Sequence, residues 1–216
     1  MDRIVFVAVI HTDNESVEKV RHTVREIKPN VVAVELDHQR YEQLKSPQDE
    51  NPEARGLDTV GELMQQLALF EKALGSTHGS EIGSEMLAAI EEGKKIGAKI
   101  ALVDRPITST IQAMGKIPLD EIYKFSSMVM GTSDKIEEEN FDILGFLKED
   151  GTIDEILAEF KKEFPALYDV LIDQRDEYVA NALNFILGDV DGKVVAVLGA
   201  GHIEGVKKAL QRKFES

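Results

Sequence analysis

Four short apolar runs of the sequence end in residues that can bind metals or transfer protons: His11, Glu35, Asp104 and His202. Neutral imidazole can act as a metal ligand or as a general base near pH 7. A carboxylate that follows an apolar run, as at Glu35, is costly to bury unless a cation such as Arg40 or a bound metal compensates its charge. One polar residue at a strand end is unremarkable, but four of this chemical type predict a shared site.

The two histidines indicate a functional site only when they are considered together. A lone His11 would be interpreted as a buried histidine bonded to the backbone, but its position matches that of His202 and so favours a pair of ligands or bases. Adjacent residues of opposite charge, at 104–105 and 175–176, are interpreted as structural ion pairs, with a substrate clamp as the alternative.

The last apolar run leads into a glycine-containing turn at residues 199–202, with the sequence GAGH. A dinucleotide-binding turn looks similar, but it opens a fold and needs an acidic ribose ligand about 20 residues later. Only 14 residues follow His202. We therefore interpret these glycines as letting the backbone approach a metal or substrate. HExxH, Walker and GxSxG motifs are absent from the sequence, so the site must combine distant segments.

The apolar runs have the composition of strands that are buried on both faces. The predicted strands are residues 3–10, 31–34, 99–103 and 193–198. Helical periodicity separates them, which predicts a parallel sheet with right-handed helical crossovers. Ligands of such open sheets bind beyond the carboxyl ends of the strands, where the ionisable residues are expected.

Helical spacing of apolar residues predicts helices at 15–27, 38–44, 59–74, 81–96 and 204–214. Residues 107–187 carry only helical signals, so we expect a helical insertion or lid that packs over the strand ends. The predicted fold class is α/β, with a parallel-dominated sheet in a single domain over residues 1–216.

Composition excludes several classes of function. The net charge of -15 argues against a nucleic-acid partner, because phosphate backbones attract clustered Lys and Arg. Without cysteine there is no disulfide, thiolate metal site or cysteine nucleophile. No apolar stretch reaches the roughly 20 residues of a membrane span, and the first residues lead into a strand instead of a signal peptide, which predicts a cytoplasmic chain.

The sequence resembles the TraB/PrgY (pheromone shutdown) family, which is related to the GumN and Tiki proteins. The resemblance covers nearly the whole chain, and it rests on the order and spacing of several strings. Besides the first strand with His11 and Ser16, these are KPNVVAVELDHQRY (28–41), GSEM (83–86), DRPITST (104–110), RDEYVA (175–180) and VAVLGAGHIEGV (195–206).

The resemblance implies a metal-dependent hydrolase with paired GxxH motifs, since Tiki members are regarded as metalloproteases. His11 and His202 match the two histidines, and Glu35 and Glu85 match acidic positions in or beside the metal centre. The position of the RDEYVA string in the family pattern implies that the helical segment brings Arg175 toward Asp104 or Glu35. The first motif departs from the pattern, because Ala8 stands where the family usually has glycine. Many archaeal relatives carry membrane helices after this domain, so the chain could be the soluble domain of a longer, membrane-attached protein.

We therefore expect a metalloprotease-like hydrolase that acts on peptides. His11, His202 and one or both of Glu35 and Glu85 would hold a divalent metal, and such mixed ligation suits Zn, Mn, Co or Fe. The metal would activate a water and polarise the scissile carbonyl, and a carboxylate that does not bind it would be the general base.

The other charged residues of the predicted site have supporting roles. Arg40, Arg105 or Arg175 would stabilise the developing oxyanion, and Asp104 is a further catalytic candidate. A peptide or small-molecule substrate is expected, and a homodimer is left open. The alternative is a non-catalytic module that binds or sequesters a peptide or a haem-like ligand, which needs only a shaped pocket.

Overall fold

The computed structural model describes residues 2–10, 14–45, 83–138 and 151–215, and only the backbone of residues 14 and 129–138. Its strands form one parallel sheet in the order β1-β4-β2-β3. They are β1 (Ile4–Val9), β2 (Val31–Val34), β3 (Lys99–Leu102) and β4 (Val194–Gly199). Each strand agrees with its predicted range to within one residue at either end, and the predicted α/β class is confirmed.

Helices connect these strands along the chain. They are α1 (Asn14–Ile27), α2 (His38–Lys45), α3 (Ser84–Lys95), α4 (Ile107–Met114), α5 (Leu119–Glu138), α6 (Thr152–Glu163), α7 (Pro165–Tyr168), α8 (Gln174–Asp189) and α9 (Ile203–Glu215). A π-helical segment, Asp169–Asp173, joins α7 to α8, and a 3-10 turn, Ala200–His202, joins β4 to α9. The predicted helix at 59–74 lies outside the described residues.

Alternation along the strands divides the core into two layers. The face that carries Val32 and Val34 packs against α1 and α3, whereas the face that carries Val31 and Ala33 packs against α8 and α9. Every residue of β4 is buried, as its position between two other strands requires. A Cβ at Gly93 would lie 2.8 Å from Ile100 Cδ1, so this glycine lets α3 approach the sheet closely.

The described part of residues 107–187 is almost wholly helical, as predicted, and it has a core of its own. Met114 and Leu167 are fully buried in this cluster, where Phe125 meets Phe164 edge to face at 5.6 Å. Edge-to-face rings of this kind add about 0.5–1.5 kcal/mol beyond the area they bury. The chain then passes through the π-helical segment into α8, which carries Arg175 back to the sheet.

Candidate active site

The carboxyl ends of the strands meet at one edge of the sheet. Val34 is in register with Val197 of β4 and Leu102 of β3, and Val9 with Gly199. Glu35 and Asp104 follow their strands at this edge, and His202 lies in the turn after β4. His11 lies outside the described residues, and its role stays a prediction. At the end of β1, the Ser16 hydroxyl accepts a hydrogen bond from the Ile10 N–H at 3.2 Å.

Glu35 is buried at the centre of this edge. Its N–H still donates to the carbonyl of Val197, so its side chain continues the alternation of β2 toward α8 and α9. Its Oε2 accepts the Gly199 N–H at 2.7 Å, and its Oε1 accepts Arg175 Nη2 at 2.7 Å. Charge-assisted hydrogen bonds of this length stabilise an ionised carboxylate away from water.

Asp104 is the second buried carboxylate, and it gathers two arginines. Its Oδ1 accepts Arg175 Nε at 3.1 Å, and its Oδ2 accepts Arg175 Nη2 at 2.8 Å and Arg40 Nη1 at 3.0 Å. The guanidinium of Arg175 therefore bridges Asp104 and Glu35. The predicted pairing of neighbours along the chain is corrected, because the salt bridges of Asp104 run to Arg40 and Arg175, and Arg105 gives it only a backbone N–H.

The His202 ring is held by a third buried carboxylate. Its Nδ1 lies 2.7 Å from Asp176 Oδ1. An ionised carboxylate there accepts a hydrogen bond from the Nδ1–H, and in this tautomer the lone pair is on Nε2. Nε2 lies 3.4 Å from Glu35 Oε1 and 3.4 Å from Arg175 Nη1. Asp176 was predicted only as the partner of Arg175 in an ion pair or a substrate clamp, and its contact with His202 was not predicted.

The Asp176 carboxyl is pressed against the first turn of α9. A Cβ at Gly205 would lie 1.7 Å from Asp176 Oδ2, so only glycine leaves room for this contact. Burial raises the pKa of Asp176, and the hydrogen bond and charge of His202 partly offset this rise. The carboxylate form of Asp176 thus depends on the imidazole beside it.

A further carboxylate, Asp37, fixes the loops around the site. Its Oδ1 accepts the N–H groups of Gln39 and Arg40 at the start of α2, and its Oδ2 accepts the Ile107 N–H at the start of α4. It therefore ties together the segments that carry Arg40 and Asp104. Aspartate directly before a predicted helix is a capping signal, by which its role was recognisable in the sequence.

Two predicted residues remain, Glu85 and Arg105. Glu85 is buried in the first turn of α3, which packs on the sheet face opposite to that of Glu35. Arg105 donates from Nη1 to Gln174 Oε1 at 2.8 Å and from Nη2 to the Ser109 carbonyl at 2.9 Å.

The atoms of His202 and Glu35 can be compared with a metal centre. Two ligands of a tetrahedral zinc ion, each at about 2.0–2.1 Å from the metal, lie about 3.3 Å apart. The 3.4 Å between His202 Nε2 and Glu35 Oε1 is close to this separation. A hydrogen bond from the other ring nitrogen to a carboxylate, as from Nδ1 to Asp176, is typical of histidine ligands. The separation of these two ligand atoms therefore fits a bound metal, although Arg175 contacts both of them. Among the residues with a described placement, no three His, Asp or Glu side chains form a complete ligand set.

Residues 2–213 match the model of the TraB/PrgY/gumN family. An uncharacterized protein of Methanocaldococcus jannaschii is 29% identical over 215 residues, which cover 97% of this chain and 53% of that protein. TraB domain-containing proteins of Homo sapiens and Mus musculus are both 27% identical to this chain, over 95% of its length and 62% of their own. The chain thus spans only part of these longer relatives. Within the described ranges, every helix is too short or too polar to cross a membrane.

Proposed function

The chain belongs to the TraB/PrgY/gumN family, and on this premise we propose that it is a metal-dependent hydrolase that acts on peptides. One observation carries the proposal. A carboxylate-held imidazole, His202, turns its Nε2 toward Glu35 Oε1 at a buried edge of the sheet. This pairing of an imidazole nitrogen with an adjacent carboxylate oxygen is suited to hold a divalent cation.

His202 Nε2 and a Glu35 oxygen would hold the metal, and His11 remains a predicted ligand. A bound divalent metal supplies a water of lowered pKa and a Lewis acid for a carbonyl oxygen. Zn, Mn, Co and Fe are all compatible with mixed nitrogen and oxygen ligation. Asp176 would keep the His202 ring oriented and its Nδ1 protonated, so that Nε2 stays available.

Arg175 has two roles in this proposal. Without a metal, its guanidinium compensates the charges of Glu35 and Asp104, which are costly to bury unpaired. If Glu35 held a metal instead, Arg175 would lose its hydrogen bond from Nη2 to Glu35, whereas its hydrogen bonds from Nε and Nη2 to Asp104 would keep the guanidinium in place. The N–H that Glu35 had accepted would then donate to the oxyanion that forms on the substrate. Asp104 acts as the anchor of both arginines, since each of its oxygens already accepts hydrogen bonds.

A non-catalytic binding module is the second candidate, and the placement of Arg175 favours it. The guanidinium already lies 2.7 Å from Glu35 Oε1 and 3.4 Å from His202 Nε2, where a metal would need to bind. A module that sequesters a peptide or a haem-like ligand would keep this arrangement unchanged and would need no open coordination position.

A peptide-cleavage screen distinguishes the two candidates. Protein stripped of metal is incubated with a mixed peptide library, with and without Zn, Mn or Co, and the products are identified by mass spectrometry. Metal-dependent cleavage that is lost in His202→Ala supports the hydrolase. His22→Ala is the matched control, because its exposed imidazole lies on α1, where it pairs with Glu26, and this variant should cleave like the parent. A parent that cleaves nothing with any of the metals makes the binding module the better account.

A further inference from the structure

A pocket of about 480 Å³ lies beside the strand-end cluster. It is formed by α4, the π-helical segment and the first residue of α8, and this volume lies in the range of roughly 300–1,000 Å³ that is usual for small-molecule sites. Two of its lining residues are chain neighbours of the cluster, since Arg105 follows Asp104 and Gln174 precedes Arg175. The pocket therefore adjoins the proposed active site.

Arg105 lines this pocket with a positive charge that no described carboxylate compensates. The residue is half-buried, and among the described residues its guanidinium donates to the neutral oxygens of Gln174 and Ser109. A guanidinium has five N–H donors, so most of them remain for a ligand. A half-buried cation that meets only neutral acceptors favours an anionic partner.

The other charges of the lining limit the charge of that partner. Lys116 is a second cation, and Asp169 is an exposed carboxylate that accepts from Gln174 Nε2 at 2.6 Å. Among the described lining residues, two cations and one carboxylate leave an excess of one positive charge, although the whole chain carries -15. A monoanion matches this excess, whereas a phosphate dianion would exceed it. The apolar wall at Ile117 and Val170 suits a carbon skeleton attached to the anion.

We propose that this pocket binds a carboxylate of a peptide substrate, with Arg105 as its direct partner. The peptide as ligand rests on the proposed function, whereas the preference for a carboxylate rests on the pocket alone. Carboxylates are planar acceptors that match the geometry of a guanidinium. The π-helical segment forms part of the wall at Asp169 and Val170, and such segments occur frequently at functional sites.

The test is a binding measurement in the presence of a chelator, so that it does not depend on metal or on cleavage. NMR titrations of the chain compare acetyl-Ala-Ala-Ala with a free carboxyl end, the same peptide as its amide, the amide of acetyl-Ala-Glu-Ala, and inorganic phosphate. We expect at least one of the two carboxylate-bearing peptides to bind and to shift the amide signals of residues 105 and 174. The amide without a carboxylate should bind at least tenfold more weakly. Comparison of the two carboxylate peptides distinguishes a terminal from a side-chain carboxylate.

Variants assign the binding to Arg105. Arg105→Gln should weaken peptide binding at least tenfold, and Arg105→Lys should restore part of it, since the charge returns without the planar fork. Lys116→Gln, an exposed position that leaves the fold intact, should weaken binding less. Arg212→Gln, an exposed arginine on α9 that pairs with Glu177, is the control and should bind like the parent. Equal binding of the uncharged amide, preference for phosphate, or unchanged affinity in Arg105→Gln would each overturn the proposal.

Discussion

At the scale of single residues, the orientation of His202 depends on Asp176. The Asp176 carboxylate accepts from Nδ1 at 2.7 Å and so selects the tautomer whose Nε2 can bind a metal. We expect Asp176→Asn to lower metal affinity roughly 10–100-fold, because partners of this kind tune their histidine ligands by about that factor. Isothermal titration of stripped protein with zinc measures it.

Asp173→Asn is the matched control for this prediction. Asp173 lies three residues earlier, directly before α8, and pairs with Lys161 on the surface. The Asp173→Asn variant should bind zinc like the parent. If Asp176→Asn also bound zinc like the parent, the proposed role of Asp176 would be wrong.

Gly205 determines how closely Asp176 can approach α9. An added Cβ would lie 1.7 Å from Asp176 Oδ2 and 2.7 Å from Cγ, so Gly205→Ala must displace the carboxylate from its place beside His202. We expect the same loss of zinc affinity as in Asp176→Asn, and no further loss in the double variant, because both changes remove one contact. Gly188→Ala is the control, because a Cβ at this position of α8 would meet no atom within 4 Å. Additive losses in the double variant would contradict a shared cause.

At the scale of secondary-structure elements, an ionic clamp joins α1 to α3. Glu92 of α3 is almost fully buried and accepts hydrogen bonds from Arg21, Arg25 and Lys95. Its loss would leave these cations without their common partner. We expect Glu92→Gln to lower the free energy of unfolding at pH 7 more than Glu91→Gln, since Glu91 is exposed and pairs with a single described cation, Arg21. Urea denaturation measures both variants.

The clamp should also make stability depend on pH. Hydrogen bonds from Arg25 and Lys95, with the charges of both, hold the pKa of Glu92 well below its ordinary value of 4.5. A lowered pKa in the folded state means that the stabilisation is complete above pH 4.5 and is lost progressively as the pH falls below it. The difference in unfolding free energy between the parent and Glu92→Gln should therefore shrink in acid. A difference that stays constant between pH 7 and pH 3 would contradict this origin.

The elements themselves were largely predictable, because their signals are local. The run VVAV at 31–34 is apolar throughout and mostly β-branched, and it forms the buried strand β2. The Glu92 clamp and the contact of Gly205 with Asp176 were not predictable, since each joins helices that are far apart in sequence. The π-helical segment at 169–173 escaped prediction as well, because it differs from its neighbours only in hydrogen-bond register.

At the scale of the whole molecule, the parallel sheet is what unites the site. Glu35, Asp104 and His202 share an edge because all four described strands run in one direction. That convergence followed from the strand signals alone, and the approach of Arg175 was expected from the position of the RDEYVA string. Its partners are the expected ones, Asp104 and Glu35, and not Asp176, which adjacency along the chain suggested. The hydrogen bond between Asp176 and His202 was not predicted, because it joins segments that are far apart in sequence.

Metal binding by the parent, His202→Ala and His22→Ala tests the proposed metal centre most directly. Equilibrium dialysis against Zn, Mn or Co gives the number of ions per chain, and far-ultraviolet circular dichroism checks the fold. We predict one ion per chain for the parent and for His22→Ala, and at least a tenfold loss of affinity in His202→Ala with an unchanged spectrum, since His202 lies in a turn beyond the strand. Glu35→Gln should also lose affinity. A parent that binds no ion at millimolar metal, or a His202→Ala variant that binds like the parent, would contradict the metal centre.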